Sequence, residues 1–137
     1  MLQGFEDELS PLTEFEKTVV MPMIVNGLVT KHGSRLAVTN GFICSKMNSH
    51  PALADAGYKL KETKVRQIIH YIRVNHLVPN LIAGSKGYWI ESDYARILDY
   101  LKSLQQRQNQ IKEIRDALIA DIKKSNPTLF PAELKAS

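Results

Sequence analysis

The period of the apolar residues changes along this chain, and each change marks an element. Phe15, Val19, Val20, Met23, Ile24 and Leu28 recur at helical spacing, one stripe of an amphipathic helix. Thr13 with Glu16 forms a capping box that starts this helix near Glu14. Pro22 lies inside the pattern and predicts a bend, because it removes a backbone donor. Gly33, after Lys31 and His32, predicts the stop. Ser34 to Val38 reads as a brief strand that pairs with a later hairpin. Thr39 or Asn40 caps a second helix through Phe42, Ile43 and Met47. Ser49 to Tyr58 contains Pro51 and Gly57 and reads as an irregular connection.

A third helix is predicted from about Lys61 to Val74. Val65, Ile68, Ile69 and Ile72 stand at i, i+3, i+4 and i+7 and give it one buried face. Asn75 is its expected left-handed cap. The period then shortens to that of strands, at Val78 to Ala83 and Tyr88 to Ser92, joined by Gly84-Ser85-Lys86-Gly87. From Asp93 (or Ser92) the helical period returns without a Gly or Pro to about Ser125, on the order of 45 Å of helix. Ile97, Leu101, Leu104, Gln108, Ile111, Arg115, Leu118 and Ile122 follow alternating spacings of four and three, a coiled-coil seam interrupted by Gln108 and Arg115.

The expected organisation is therefore a flexible arm over residues 1–12, a domain over 13–92, a long helix over 93–125 and a loose tail over 126–137. The fold class is α+β, mostly helical. The length of 137 residues suits one domain with one core. A net charge of +4 is compatible with a polyanionic partner, so what matters is where the charge sits. Cys44 is the single cysteine, which excludes an internal disulfide and a Cys-rich zinc site. His32, His50, His70 and His76 lack paired ligand spacing, so no metal and no cofactor is expected. No apolar run approaches a membrane span, and the first residues lack the pattern of a signal peptide. A cytoplasmic protein fits these features.

Opposite the buried face of the third helix stand Thr63, Lys64, Arg66, Gln67, His70 and Arg73. Arg and Gln have the donor and acceptor geometry for guanine and adenine edges. Thr63, Arg66, Gln67 and His70 are the candidate base readers, and Lys64 and Arg73 the candidate phosphate contacts. Lys86, with the hydroxyl of Ser85 beside it, is a third phosphate candidate at the hairpin turn. The competing readings are a solvated basic helix face and an ordinary Gly- and Lys-bearing turn. A polar helix backed by a basic hairpin matches a duplex, with the helix in the major groove and the hairpin along a phosphate strand.

The seam residues Ile97, Leu101, Leu104, Gln108, Ile111, Leu118 and Ile122 have three readings: a homodimer seam, a helix lying back on the domain, or a docking surface. The dimer is favoured, since a two-fold pair matches pseudo-palindromic DNA. Packing of Tyr94 to Leu104 within the chain is expected in any case. Enzymatic readings have little support. Cys44 has no base nearby in sequence, and Gly84-Ser85-Lys86-Gly87 joins two strands, whereas a phosphate-binding loop joins a strand to a helix.

The order helix, short strand, helix, helix, hairpin over roughly Thr13 to Ser92 resembles the winged helix-turn-helix family. The residues that carry the resemblance are the helix Val65-Arg66-Gln67-Ile68-Ile69-His70-Tyr71-Ile72-Arg73 and the wing Leu81-Ile82-Ala83-Gly84-Ser85-Lys86-Gly87-Tyr88-Trp89-Ile90. The pair is also similar to small winged-helix proteins of bacteriophages and mobile elements. The resemblance implies three helices plus a hairpin wing, with the third helix as recognition helix and Lys86 as wing contact. It implies a double-stranded DNA-binding protein of bacterial or phage origin, a transcriptional regulator or replication accessory. Because some winged helices bind protein, the alternative is a protein–protein interaction adaptor without DNA binding.

Overall fold

The computed structural model describes residues 11–129. Most of the expected arm and most of the expected tail lie outside them. Leu12 is already buried in the core, and residues Pro127–Leu129 form a 3-10 turn.

The capping box forms as the sequence suggests. The Thr13 N–H donates to Glu16 Oε1 at 2.8 Å, and the Glu16 N–H donates to Thr13 Oγ1 at 3.1 Å. The chain answers Pro22 with a π-helical turn over Glu16–Val20 ahead of α1 (Met21–Leu28). Within that turn the Met21 N–H reaches back five residues to the Glu16 carbonyl. A wider turn gives room where the proline ring would meet the preceding backbone. The helix ends at Leu28, five residues before Gly33. The hairpin draws the intervening residues away, since Lys31 O accepts from Ile90 N–H at 2.8 Å and Gly33 N–H donates to Ile90 O at 2.9 Å.

The strand expected over Ser34–Val38 is replaced by a 3-10 turn, Ser34–Leu36, with isolated bridges from His32 to Ile90 and from Val38 to Tyr88. The pairing with the hairpin is thus real but confined to single residues. In α2 (Asn40–Asn48), the Thr39 hydroxyl accepts from Phe42 N–H at 3.1 Å. The connection thought irregular contains a short helix, α3 (Pro51–Ala54), with His50 Nδ1 accepting from Ala52 N–H at 3.0 Å. Leu53 and Leu60, fully buried, pin it to the core. Asn48 grips its far end, accepting from Leu60 N–H at 2.7 Å and donating to Leu60 O at 2.9 Å.

Helix α4 (Glu62–Val74) buries Val65, Ile68, Ile69 and Ile72 as the spacing requires. It packs on α1 and α2. The left-handed residue after it is His76 at φ 58°, one beyond Asn75, whose φ is −101°. The chain closes there as a Schellman-type cap, with Leu77 N–H donating to Ile72 O at 3.0 Å. The strands are shorter than expected: β1 (Leu81–Gly84) and β2 (Gly87–Ile90) pair antiparallel, with Gly84 opposite Gly87. Pro79 and a left-handed Asn80 (φ 63°) delay β1.

Helix α5 (Tyr94–Ser125) follows, with the Asp93 carboxylate accepting from Ala95 N–H at 2.9 Å. No residue of α5 is buried, and Tyr94, Leu98, Leu101 and Leu104 are among its exposed apolar side chains. The chain divides after Ile97 into two compact units. No helix among the described residues is long and apolar enough to cross a membrane.

Candidate nucleic-acid interface

The hairpin is held from two sides. The Val38 N–H donates to Tyr88 O at 3.0 Å, and the Tyr88 N–H donates to Val38 O at 2.8 Å. The Tyr88 hydroxyl donates to Asn40 Oδ1 at 2.6 Å, which ties the buried side of β2 to the first turn of α2. Gly87, at φ 111°, lies against this bridge, and any Cβ there would run into the Val38 carbonyl. On the opposite face Trp89 lies over Gly84, where a Cβ would come within 2.9 Å of the indole. The indole Nε1–H donates to Glu91 Oε1 at 3.1 Å. Trp89 is thus committed to packing across the hairpin.

These ties put the hairpin turn beside two helix starts. Thr39–Gly41 of α2, Glu62 at the start of α4 and Ala83–Ser85 of the hairpin line one hollow of about 270 Å³. Ser85, which lines it, and Lys86, next in the turn, are exposed. Arg66, one turn after Glu62 and also exposed, continues the same flank of α4. Cys44 of α2 lies near both: burial pushes its thiol pKa up, the Glu62 charge adds to that, and the Arg66 charge opposes it. Thr63 and His70 are exposed on the outermost face of α4, and Arg73 is half-buried.

Lys64 and Gln67 occupy the other flank of α4 and turn toward α1. Lys64 Nζ donates to Gln67 Oε1 at 2.9 Å and lies 3.7 Å from Glu16 Oε2. Glu16 is buried and also accepts from the Tyr58 hydroxyl at 2.6 Å. Burial alone would push the Glu16 carboxyl up. The Tyr58 hydroxyl, the Thr13 amide, the Lys64 charge and the Thr13 hydroxyl outweigh it, and the net pKa lies below the ordinary value. Burial, then the hydrogen bond to Glu16 and its charge, push the Tyr58 phenol well above the usual range.

The eight residues singled out for DNA therefore fall into two groups. Thr63, Arg66, His70, Ser85 and Lys86 are exposed, and Arg73 is half-buried. Lys64 and Gln67 belong to a polar cluster that fastens α4 to the start of the first helix. Sequence reasoning missed Glu62 in the hollow, and it missed Asn40 and Asn48 as the residues that place the hairpin and the α2–α4 connection. Asn40 had a local signal, its position at a helix start. The Asn48 bridge spans 12 residues and had none. Among the described residues, no group of three or more His, Cys, Asp or Glu is placed to hold a metal. Comparison of the chain with protein-family models, with curated proteins and with solved structures gives no match.

Proposed function

We propose that this chain is a winged-helix protein that binds double-stranded DNA, as a transcriptional regulator or replication accessory of a bacterium or phage. One observation carries the reading: the start of α4, the start of α2 and the hairpin turn line a common hollow, and Arg66, one turn after Glu62, and Lys86, next to Ser85 in the turn, are both exposed. In this reading α4 enters the major groove, Arg66 with Thr63 and His70 reads base edges, and Lys86 with Ser85 meets a phosphate strand. Arg73 is a further phosphate contact. Lys64 and Gln67 hold α4 in place and contact DNA little. Glu62 repels backbone phosphate near the hollow and accepts from a cytosine amine if it reaches a base. Two copies join through the seam of α5, and the protein acts in the cytoplasm without a cofactor.

The exposed apolar stripe on α5 also suits an adaptor that docks protein and not DNA. Mobility shift of random duplex DNA at two salt concentrations separates the readings. Phosphate anchoring gives affinity that falls log-linearly with salt, at about 0.9 per phosphate neutralised. Absence of a shift at low salt would reject the DNA reading.

A further inference from the structure

A hollow of about 260 Å³ lies between α1 and α2 and shares no residue with the one beside the hairpin turn. Its walls are apolar: Met23, Ile24 and Leu28 come from α1, Ile43 and Met47 from α2, and Val38 from the bridge to the hairpin. Gly27 lines it too. A Cβ at Gly27 would meet nothing within 4 Å, and its φ lies outside the left-handed region. Neither crowding nor backbone conformation calls for glycine there, and a bare Cα keeps the hollow open. Packed interiors leave few spaces larger than a water molecule, so an open apolar space of this size fits a ligand.

The charge around the hollow has one sign. Of the residues that line it, only Lys31, Lys46 and His50 are ionisable, and each can carry only positive charge. No carboxylate lines it, and among the described residues neither lysine has an ion-pair partner. Lys46 Nζ stands 6.0 Å from the centre of the Phe42 ring, which is itself half exposed. His50 Nδ1 accepts from Ala52 N–H at 3.0 Å, so the neutral ring carries its proton on Nε2, as a donor. Apolar walls with cations and no acid match a ligand that is apolar in body and anionic at one end. The volume is below the roughly 300 Å³ at which sites for drug-sized molecules begin, so the ligand is small.

We infer that the groove between α1 and α2 binds a small carboxylate with an apolar body, its carboxylate paired with the lysines that line the groove. The site is independent of the DNA reading. The backbones of Lys31 and Val38 also hold β2, at Ile90 and Tyr88, so the ligand touches the anchors of the hairpin. Titration of octanoate into isotope-labelled full-length protein, followed by NMR, tests the inference. Saturable shift changes are expected at the amides of Gly27, Lys31 and Lys46. Octanamide, with the same body and no charge, should bind about tenfold more weakly, the advantage of a charge-assisted bond over a neutral one. Gly27→Leu puts a side chain into the hollow and should abolish binding. Lys46→Gln, at an exposed position, should weaken octanoate severalfold and leave octanamide unchanged, which keeps the test decisive if Gly27→Leu folds poorly. Absence of saturable change at millimolar octanoate overturns the site. Equal affinity for octanoate and octanamide overturns the anion, and parental affinity in a folded Gly27→Leu overturns the location. Changes at these amides on adding a peptide of the acidic residues 1–10, and not on adding octanoate, assign the groove to a segment of the chain and overturn the small ligand.

Discussion

Glu16 ties three parts of the N-terminal unit together. Its carboxylate closes the capping box, accepts from Tyr58 and faces Lys64. Glu16→Ala leaves a buried hydroxyl and a helix-start amide without their acceptor, at a cost of about 2–4 kcal/mol. Tyr58→Phe removes one of these bonds and costs about 1 kcal/mol. Urea denaturation at pH 7 reads both, and equal losses would show that the cluster is not centred on the carboxylate. The pH dependence has a definite sign. The Glu16 carboxyl lies below its ordinary value when folded. Its stabilisation is therefore complete above the unfolded value of about 4.3, and is lost as the pH falls through the lower, folded value. Glu91 adds the same sign, held down by the Trp89 indole first and the Asp93 amide next. Melting followed from pH 6 to pH 2 should show a steeper fall in the parent than in Glu16→Gln. Gly87 is the second sensitive position. Gly87→Ala meets the Val38 backbone at a φ that favours glycine, and is expected to cost about 2–4 kcal/mol. Hydrogen exchange at the Val38 and Tyr88 amides, fast in the variant and slow in the parent, checks it.

At the scale of elements, the two flanks of α4 make opposite predictions. Arg66→Ala should relax sequence preference by about 1–3 kcal/mol at one base position while leaving the melting temperature unchanged. Gln67→Ala should leave sequence preference close to the parent's, because its side chain is engaged by Lys64. Glu62→Gln removes a carboxylate at the hollow and should tighten binding to random duplex severalfold at low salt, an effect that fades as salt rises. Binding isotherms on a panel of single-base variants measure all three. If Gln67→Ala relaxes specificity as much as Arg66→Ala, the division of α4 into a reading flank and a fastening flank is wrong. The four main helices and the hairpin were legible in the sequence, because their signals are local: a capping box, a four-residue apolar stripe, a Gly-bounded turn. What was not legible depended on distant partners. The basic face of α4 gave no sign that Lys64 would be taken up by Glu16, 48 residues earlier in the chain. Ser49–Tyr58 carried loop signals in Pro51 and Gly57, yet burial of Leu53 folds it into a helical turn. The brief strand before α2 failed because two single-residue bridges satisfy the hairpin edge without a continuous ladder.

At the scale of the whole molecule, the number of copies should be readable from the salt dependence of DNA binding. If two copies joined through α5 engage two half-sites, the dimer neutralises twice the phosphates of one copy, and its log-affinity falls twice as steeply with log salt. Leu104→Glu with Ile111→Glu puts carboxylates at two exposed seam positions, where burial against a second helix would require desolvating them. The double variant should sediment as a monomer with an unchanged melting profile for the N-terminal unit, since neither residue is buried in the chain. Its salt slope on a two-half-site duplex should drop to about half the parent's. Its affinity should fall by roughly 10²–10⁴, the usual range when a second, linked binding event is lost. Lys86→Ala in the parent background gives the contrasting pattern: the mass stays dimeric and affinity weakens alike on every duplex. The slope then falls by only about 1.8, one phosphate of about 0.9 for each copy. A double variant that is monomeric yet keeps the parent slope would show that one copy makes all the DNA contacts and that the seam serves another purpose.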